Sequence, residues 1–124
     1  MRQYKRSHRV GDLIREVISE MILRDLSDPR LETVTITEVE VTEDLKQARV
    51  FFSARGDQAR EKSAVQGLES ASGLIKKKLG RELRLRCTPE LMFKVDHSFE
   101  YGSKIDRLIQ DIKEEKDGDS QEDR

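Results

Sequence analysis

Leu68-Glu69-Ser70-Ala71-Ser72-Gly73-Leu74-Ile75-Lys76-Lys77-Lys78-Leu79-Gly80-Arg81-Glu82-Leu83-Arg84-Leu85-Arg86 is a helical pattern interrupted by small residues and then loaded with positive charge. No proline occurs from Asp57 to Arg86, and Val65, Leu68, Ile75, Leu79 and Leu83 recur at spacings of three, four or seven, which lays one apolar stripe along a helix. Periodicity alone allows one continuous helix. It would run about 45 Å at 1.5 Å per residue, against a radius of gyration near 14 Å for a domain of this size. The spacing therefore predicts a break. Ala71-Ser72-Gly73 is the expected place: Ser competes for backbone hydrogen bonds, Gly carries the largest backbone-entropy cost, and small residues let two backbones approach.

The second half is strongly basic, with six basic side chains in residues 73–86 against the single acid Glu82. With Ile75, Leu79 and Leu83 facing the core, a step of about one hundred degrees per residue puts Lys77, Arg81 and Arg84 on the solvent side, flanked by Lys76 and Lys78. An ordinary solvated helix face is the plain reading of a lysine run. So little i,i+4 pairing is available here, however, that the face stays electropositive, which suits a polyanion. Leu74 and Leu85 fall on the wrong side of this wheel.

Composition sets the bounds. A chain of 124 residues is one domain with one core, and 40% charged residues, 5% aromatics and no Trp leave that core to Ile, Leu and Val. The net charge of −1 hides segregation: residues 1–9 carry four basic and no acidic residues, 32–44 five acidic and none basic, and 110–124 seven acidic against three basic. The lone Cys87 excludes an internal disulfide and a multi-cysteine zinc site, and reads as a buried or half-buried structural thiol. No apolar run is long enough to span a bilayer and no signal-peptide pattern leads the chain, so a cytoplasmic location is expected.

Taken in order, Ser7 offers an N-cap for a helix carrying Val10, Leu13, Ile14, Val17, Ile18, Met21 and Ile22, which must stop before Asp28-Pro29. His8 and His97 suggest no metal site. Thr33 to Thr42 reads as a strand whose alternation changes phase, and a β-bulge near Thr37-Glu38 would put Val34, Ile36, Val39 and Val41 on one face. After a turn at Glu43-Asp44-Leu45-Lys46, an antiparallel strand places Ala48, Val50 and Phe52 inward. Arg55-Gly56-Asp57 caps the long helical region. Beyond Thr88-Pro89, Leu91, Phe93 and Val95 alternate as a third strand, a last amphipathic helix carries Ile105, Leu108, Ile109 and Ile112, and residues 113–124 read as a disordered charged tail. The fold class is α+β: helices on one face of a three-stranded sheet, with a single domain over residues 1–112.

This order of elements resembles a type II KH domain, α-β-β-α(kink)α-β with a C-terminal helix. Asp28-Pro29-Arg30-Leu31, Val39 through Asp44-Leu45, Ala71-Ser72-Gly73, Arg84-Leu85-Arg86 with Pro89-Glu90-Leu91, and Lys104-Ile105-Asp106 are similar to the bacterial ribosome-binding factor A family, over roughly residues 1–112. The resemblance implies a cytoplasmic, monomeric factor that binds free small ribosomal subunits. It also implies a role in late maturation and 5′-end processing of small-subunit rRNA, with growth at low temperature dependent on it and a ribosome-assembly GTPase as a partner in release. Ordinary KH domains clamp single strands with a Gly-x-x-Gly loop. This chain has none; Ala71-Ser72-Gly73 matches the family's interhelical kink instead, so structured rRNA held through phosphates and shape is expected.

The RNA-binding candidates are thus Arg6, Arg9, Lys76, Lys77, Lys78, Arg81, Arg84 and Arg86, though the sequence does not place the N-terminal pair beside the helical set. A nucleotide-binding glycine loop, a nucleophile motif, a metal-ligand cluster and a readable His/carboxylate pair are all missing, which argues against an enzyme, a catalytic site, a cofactor or a bound metal. A general RNA-binding or protein-interaction KH-like module not tied to the ribosome is the competing reading.

Overall fold

The computed structural model describes residues 5–98. Helix α1 (Arg6–Arg24) leads through a single 3-10 turn (Pro29–Leu31) to strands β1 (Val34–Val41) and β2 (Gln47–Ala54), then helix α2 (Gln58–Leu83) and strand β3 (Glu90–Val95). The sheet order is β1-β2-β3, with β1 antiparallel and β3 parallel to β2. This is the α+β arrangement expected. The expected C-terminal helix and the charged tail lie outside the described residues.

The change of phase in β1 is resolved by a bulge. Ile36 faces Phe52 and Glu38 faces Phe51, so Thr37 is the extra residue. Val34 and Ile36 are buried and Val39 and Val41 pack against the same core as Ala48, Val50 and Phe52. Leu91, Phe93 and Val95 complete that inner face, while Thr35, Glu38, Glu40, Arg49, Met92 and Lys94 are exposed on the other. Thr37 Oγ1 donates to Asp96 Oδ2 across 2.6 Å, which ties the bulge to the end of β3. Hydrogen bonds from Ser98 and Thr37 hold the Asp96 carboxyl below its ordinary range.

Helix α1 buries Val10, Ile14, Ile18 and Met21, whereas Leu13 is 47% exposed. Ser7 is not its cap: Lys5 holds that position, its N–H donating to His8 Nδ1 at 3.3 Å, and Ser7 lies buried in the first turn. Gly11 decides how closely α1 lies on the sheet, because a Cβ there would stand 2.5 Å from the carbonyl oxygen of Val39.

Helix α2 corrects one expectation. It runs without interruption through Ala71-Ser72-Gly73 for 26 residues, about 39 Å at 1.5 Å per residue. One exposed helical glycine costs only about 1 kcal/mol against Ala. Full burial of Leu68, Ile75 and Leu79 returns about 1.5–3 kcal/mol each. The heptad from Leu68 to Ile75 keeps both halves on one face, and both halves have partners, so nothing forces a break. The first half meets the 3-10 turn at Gly67, and the second meets α1 around Met21 and Asp25 and the start of β3 through Lys76 and Glu90. The close approach expected at Gly73 is absent, with nothing within 4 Å of its would-be Cβ. It occurs at Gly67 instead, where that atom would meet Leu31 Cδ2 at 3.1 Å, Arg30 Cβ at 3.2 Å and Asp28 Oδ2 at 3.3 Å.

Candidate nucleic-acid interface

Asp57 caps α2 by accepting from the Arg60 N–H at 3.0 Å, as its place after Gly56 suggests. At the other end the chain turns at Arg84, whose left-handed backbone (φ 54°, ψ 36°) ends the helix. The basic residues of this region therefore fall into three settings. Lys77 and Arg81 project from the helix into solvent and make no ion pair among the described residues. Lys76 and Lys78 are half-buried flanks, Lys76 Nζ bonding Glu90 at 2.8 Å and Lys78 Nζ standing 4.0 Å from Asp25. Arg84 and Arg86 are exposed but belong to the connection to β3. That corrects the wheel on which Arg84 shared a face with Lys77 and Arg81, because a helical step of about one hundred degrees no longer applies once the backbone turns left-handed.

Between α1 and α2 lies a recess of about 200 Å³ lined by Met21, Asp25, Leu74, Lys77, Lys78 and Arg81. Leu74, which seemed misplaced on the wheel, is 52% exposed in this recess. The exposed cations thus surround an apolar spot with one carboxylate at its edge. Sequence reasoning missed Asp25 and Leu74; the charge mismatch of Asp25 near a helix C-terminus and the misfit of Leu74 were the available signals.

Arg6 and Arg9 are exposed in the first turn of α1. Twelve residues separate Arg9 from Met21, about 18 Å along the helix, and the exposed charges between them are mixed, with Arg15 beside Asp12, Glu16 and Glu20. Along α1 this sets the N-terminal pair apart from the recess that holds Lys77 and Arg81. Nearby, Lys5 Nζ pairs with Glu43 at the β1–β2 hairpin, which holds that carboxyl below its ordinary range. Cys87 is exposed, contrary to the buried thiol expected, because the neighbouring Pro89 takes the buried place in the connection. Among the described residues no cluster of His, Cys, Asp and Glu could hold a metal ion, and no helix is long and apolar enough to cross a membrane.

The chain is similar along nearly its whole length to known proteins. Residues 6–109 match the family model described as ribosome-binding factor A. Ribosome-binding factor A of Trichlorobacter lovleyi is 48% identical over 122 residues, covering 98% of this chain and 99% of that protein. The solution NMR structure of a ribosome binding factor A candidate from Thermotoga maritima superposes with a TM-score of 0.68 at 31% identity, over 76% of this chain and 90% of the other. A Thermus thermophilus ribosome binding factor A homology model, fitted into a cryo-EM map of a 30S–RbfA complex, superposes with a TM-score of 0.61 at 25% identity, over 75% and 97%. On the match across residues 6–109 and the identity to curated relatives, the chain belongs to the ribosome-binding factor A family.

Proposed function

We propose that this protein binds the free small ribosomal subunit through phosphates of folded rRNA, with Lys77 and Arg81 as the leading contacts and Arg84 and Arg86 extending the surface beyond the helix end. Family membership over residues 6–109 carries the reading, and the relative fitted into a 30S complex supports the partner. A helix whose core side is fixed by Ile75 and Leu79 presents its exposed cations at set spacing without needing a single-strand clamp. Its task on this reading is late maturation of small-subunit rRNA, including 5′-end processing, in the cytoplasm, as a monomer without catalytic chemistry of its own. A ribosome-assembly GTPase serves for release, and residues 1–112 form the binding unit with 113–124 outside it.

Co-sedimentation of the purified protein with isolated small subunits across a salt series tests the reading. Binding that weakens linearly in log affinity against log salt is expected. Failure to pellet with subunits at low salt would overturn it.

A further inference from the structure

In α2, Leu74, Lys77, Lys78 and Arg81 fall at i, i+3, i+4 and i+7, which puts one leucine and three cations on a single stripe of the helix. Facing that stripe, Met21 and Asp25 stand one turn apart at the C-terminal end of α1. These six line the recess of about 200 Å³ between the helices. A surface that held phosphates alone would need neither a half-exposed leucine among its cations nor a carboxylate at their edge. Asp25 is unfavourably placed on two counts. It lies at the negative end of the α1 dipole, and its charge repels the polyanion that Lys77 and Arg81 attract. Pairing does not account for it either, because Lys78 Nζ is 4.0 Å away, beyond hydrogen-bond distance, and a pair this exposed contributes little.

We propose that the recess receives one unpaired guanine of the small-subunit rRNA, an inference that rests on the rRNA-binding reading above. RNA carries a flat, largely apolar ring on every charged unit, and proteins read that ring where a base is splayed out of its helix. The recess offers a partner for each part. Leu74, with Met21 behind it, supplies an apolar wall for the ring face, Lys77, Lys78 and Arg81 meet the flanking phosphates, and the Asp25 carboxylate accepts from the base edge. Two carboxylate oxygens take two parallel N–H donors. Guanine alone among the four bases has two adjacent donors, N1–H and N2–H, on its Watson–Crick edge. Adenine, cytosine and uracil each set an acceptor beside the donor, which a carboxylate repels. Size limits the occupant as well: about 200 Å³ falls short of the roughly 300–1,000 Å³ of sites that enclose a drug-sized ligand, and suits a single base.

Asp25→Asn gives the test its sign. If the recess meets only phosphates, removing a negative charge tightens binding; if it holds guanine, binding weakens. Affinity of the full chain for isolated small subunits is measured across a salt series for the parent, Asp25→Asn and Leu74→Asn, with the fold checked by circular dichroism. Asp25→Asn should bind about tenfold more weakly, within the range of one bidentate base contact. Its slope of log affinity against log salt should stay unchanged, because no phosphate partner is lost. Leu74→Asn should also weaken binding at unchanged slope. Kethoxal, which adds across N1 and N2 of unpaired guanine, supplies a second readout: a guanine protected by the parent should regain reactivity under saturating Asp25→Asn. Affinity that holds or rises in Asp25→Asn, no guanine protected by the parent, or protection that the variant retains would each overturn the guanine site while leaving subunit binding in place. A parent chain that fails to bind subunits at low salt would overturn both this site and the reading beneath it.

Discussion

Gly67 and Gly73 lie six residues apart in the same helix, and they do opposite things. Gly67 is the point where α2 meets the 3-10 turn, its missing side chain replaced by Leu31, Arg30 and Asp28. Gly73 faces open space, next to Leu74 and one turn before Lys77. The first half of α2 is a structural contact surface in which small size matters. The second half buries only its Ile75 and Leu79 stripe and leaves its other side, cations included, to solvent. A glycine in a helix is thus informative only together with what would meet its Cβ.

The largest effects should come from filling the close approaches. Gly11→Ala places a Cβ 2.5 Å from a backbone oxygen that no rotamer change can move, so α1 must shift off β1. A loss at or above the upper end of the overpacking range, about 1–3 kcal/mol, is expected. Gly67→Val should cost about as much, whereas Gly67→Ala should nearly cancel, a crowded Cβ at 3.1–3.3 Å being offset by better helix propensity. Urea denaturation monitored by circular dichroism measures all three. If Gly67→Val is silent, the contrast with Gly73 fails.

The second half should respond in binding and not in stability. Lys77→Ala with Arg81→Ala removes two exposed cations that make no ion pair among the described residues, so the fold should survive. The slope of log affinity for small subunits against log salt should fall by about 0.7–0.9 for each phosphate left without its cation. An unchanged slope in the folded double variant would reduce this face to a solvated helix surface. A smaller effect, of opposite sign, is expected at Gly73. Gly73→Ala should stabilise the helix by about 0.5–1 kcal/mol, since nothing opposes the added methyl. Destabilisation would mean that the position is used in a way the open surface does not suggest.

The strands, the bulge at Thr37, the hairpin turn and the core stripes were legible in the sequence because period-2 and period-3.6 patterns are local and leave little choice of face. The unbroken α2 was not legible. Whether Gly73 breaks a helix depends on β3 and α1 supplying burial to the second half, which is a tertiary fact. The role of Gly67 was equally hidden, since only the return of Asp28-Pro29-Arg30-Leu31 onto the helix reveals it. Among the site residues, Lys77 and Arg81 were legible as exposed helix cations. Arg84 was not, because helix termination at Leu83 rests on a left-handed residue that a helical wheel cannot register.

The turn that Gly67 packs against supplies the smallest test. Asp28 accepts from the Arg30 backbone N–H at 2.9 Å and from the Arg30 guanidinium at 2.8–3.1 Å, and the side-chain hydrogen bond from Arg30, then its backbone one, holds the carboxyl below its ordinary value. A carboxyl depressed in the folded state contributes stability above its unfolded value, near 3.9, and loses it as pH falls through the lower folded value. Asp28→Asn should therefore be slightly less stable than the parent at neutral pH. The two stability curves should converge as pH drops from just above 4 through the acid range. The pair is partly open to solvent, so the difference should be small. Denaturation midpoints of both proteins between pH 7 and pH 2 provide the measurement. Parallel curves across that range would mean that Arg30 holds the turn without the Asp28 charge, and that the packing of Leu31 under Gly67 alone fixes where α2 crosses it.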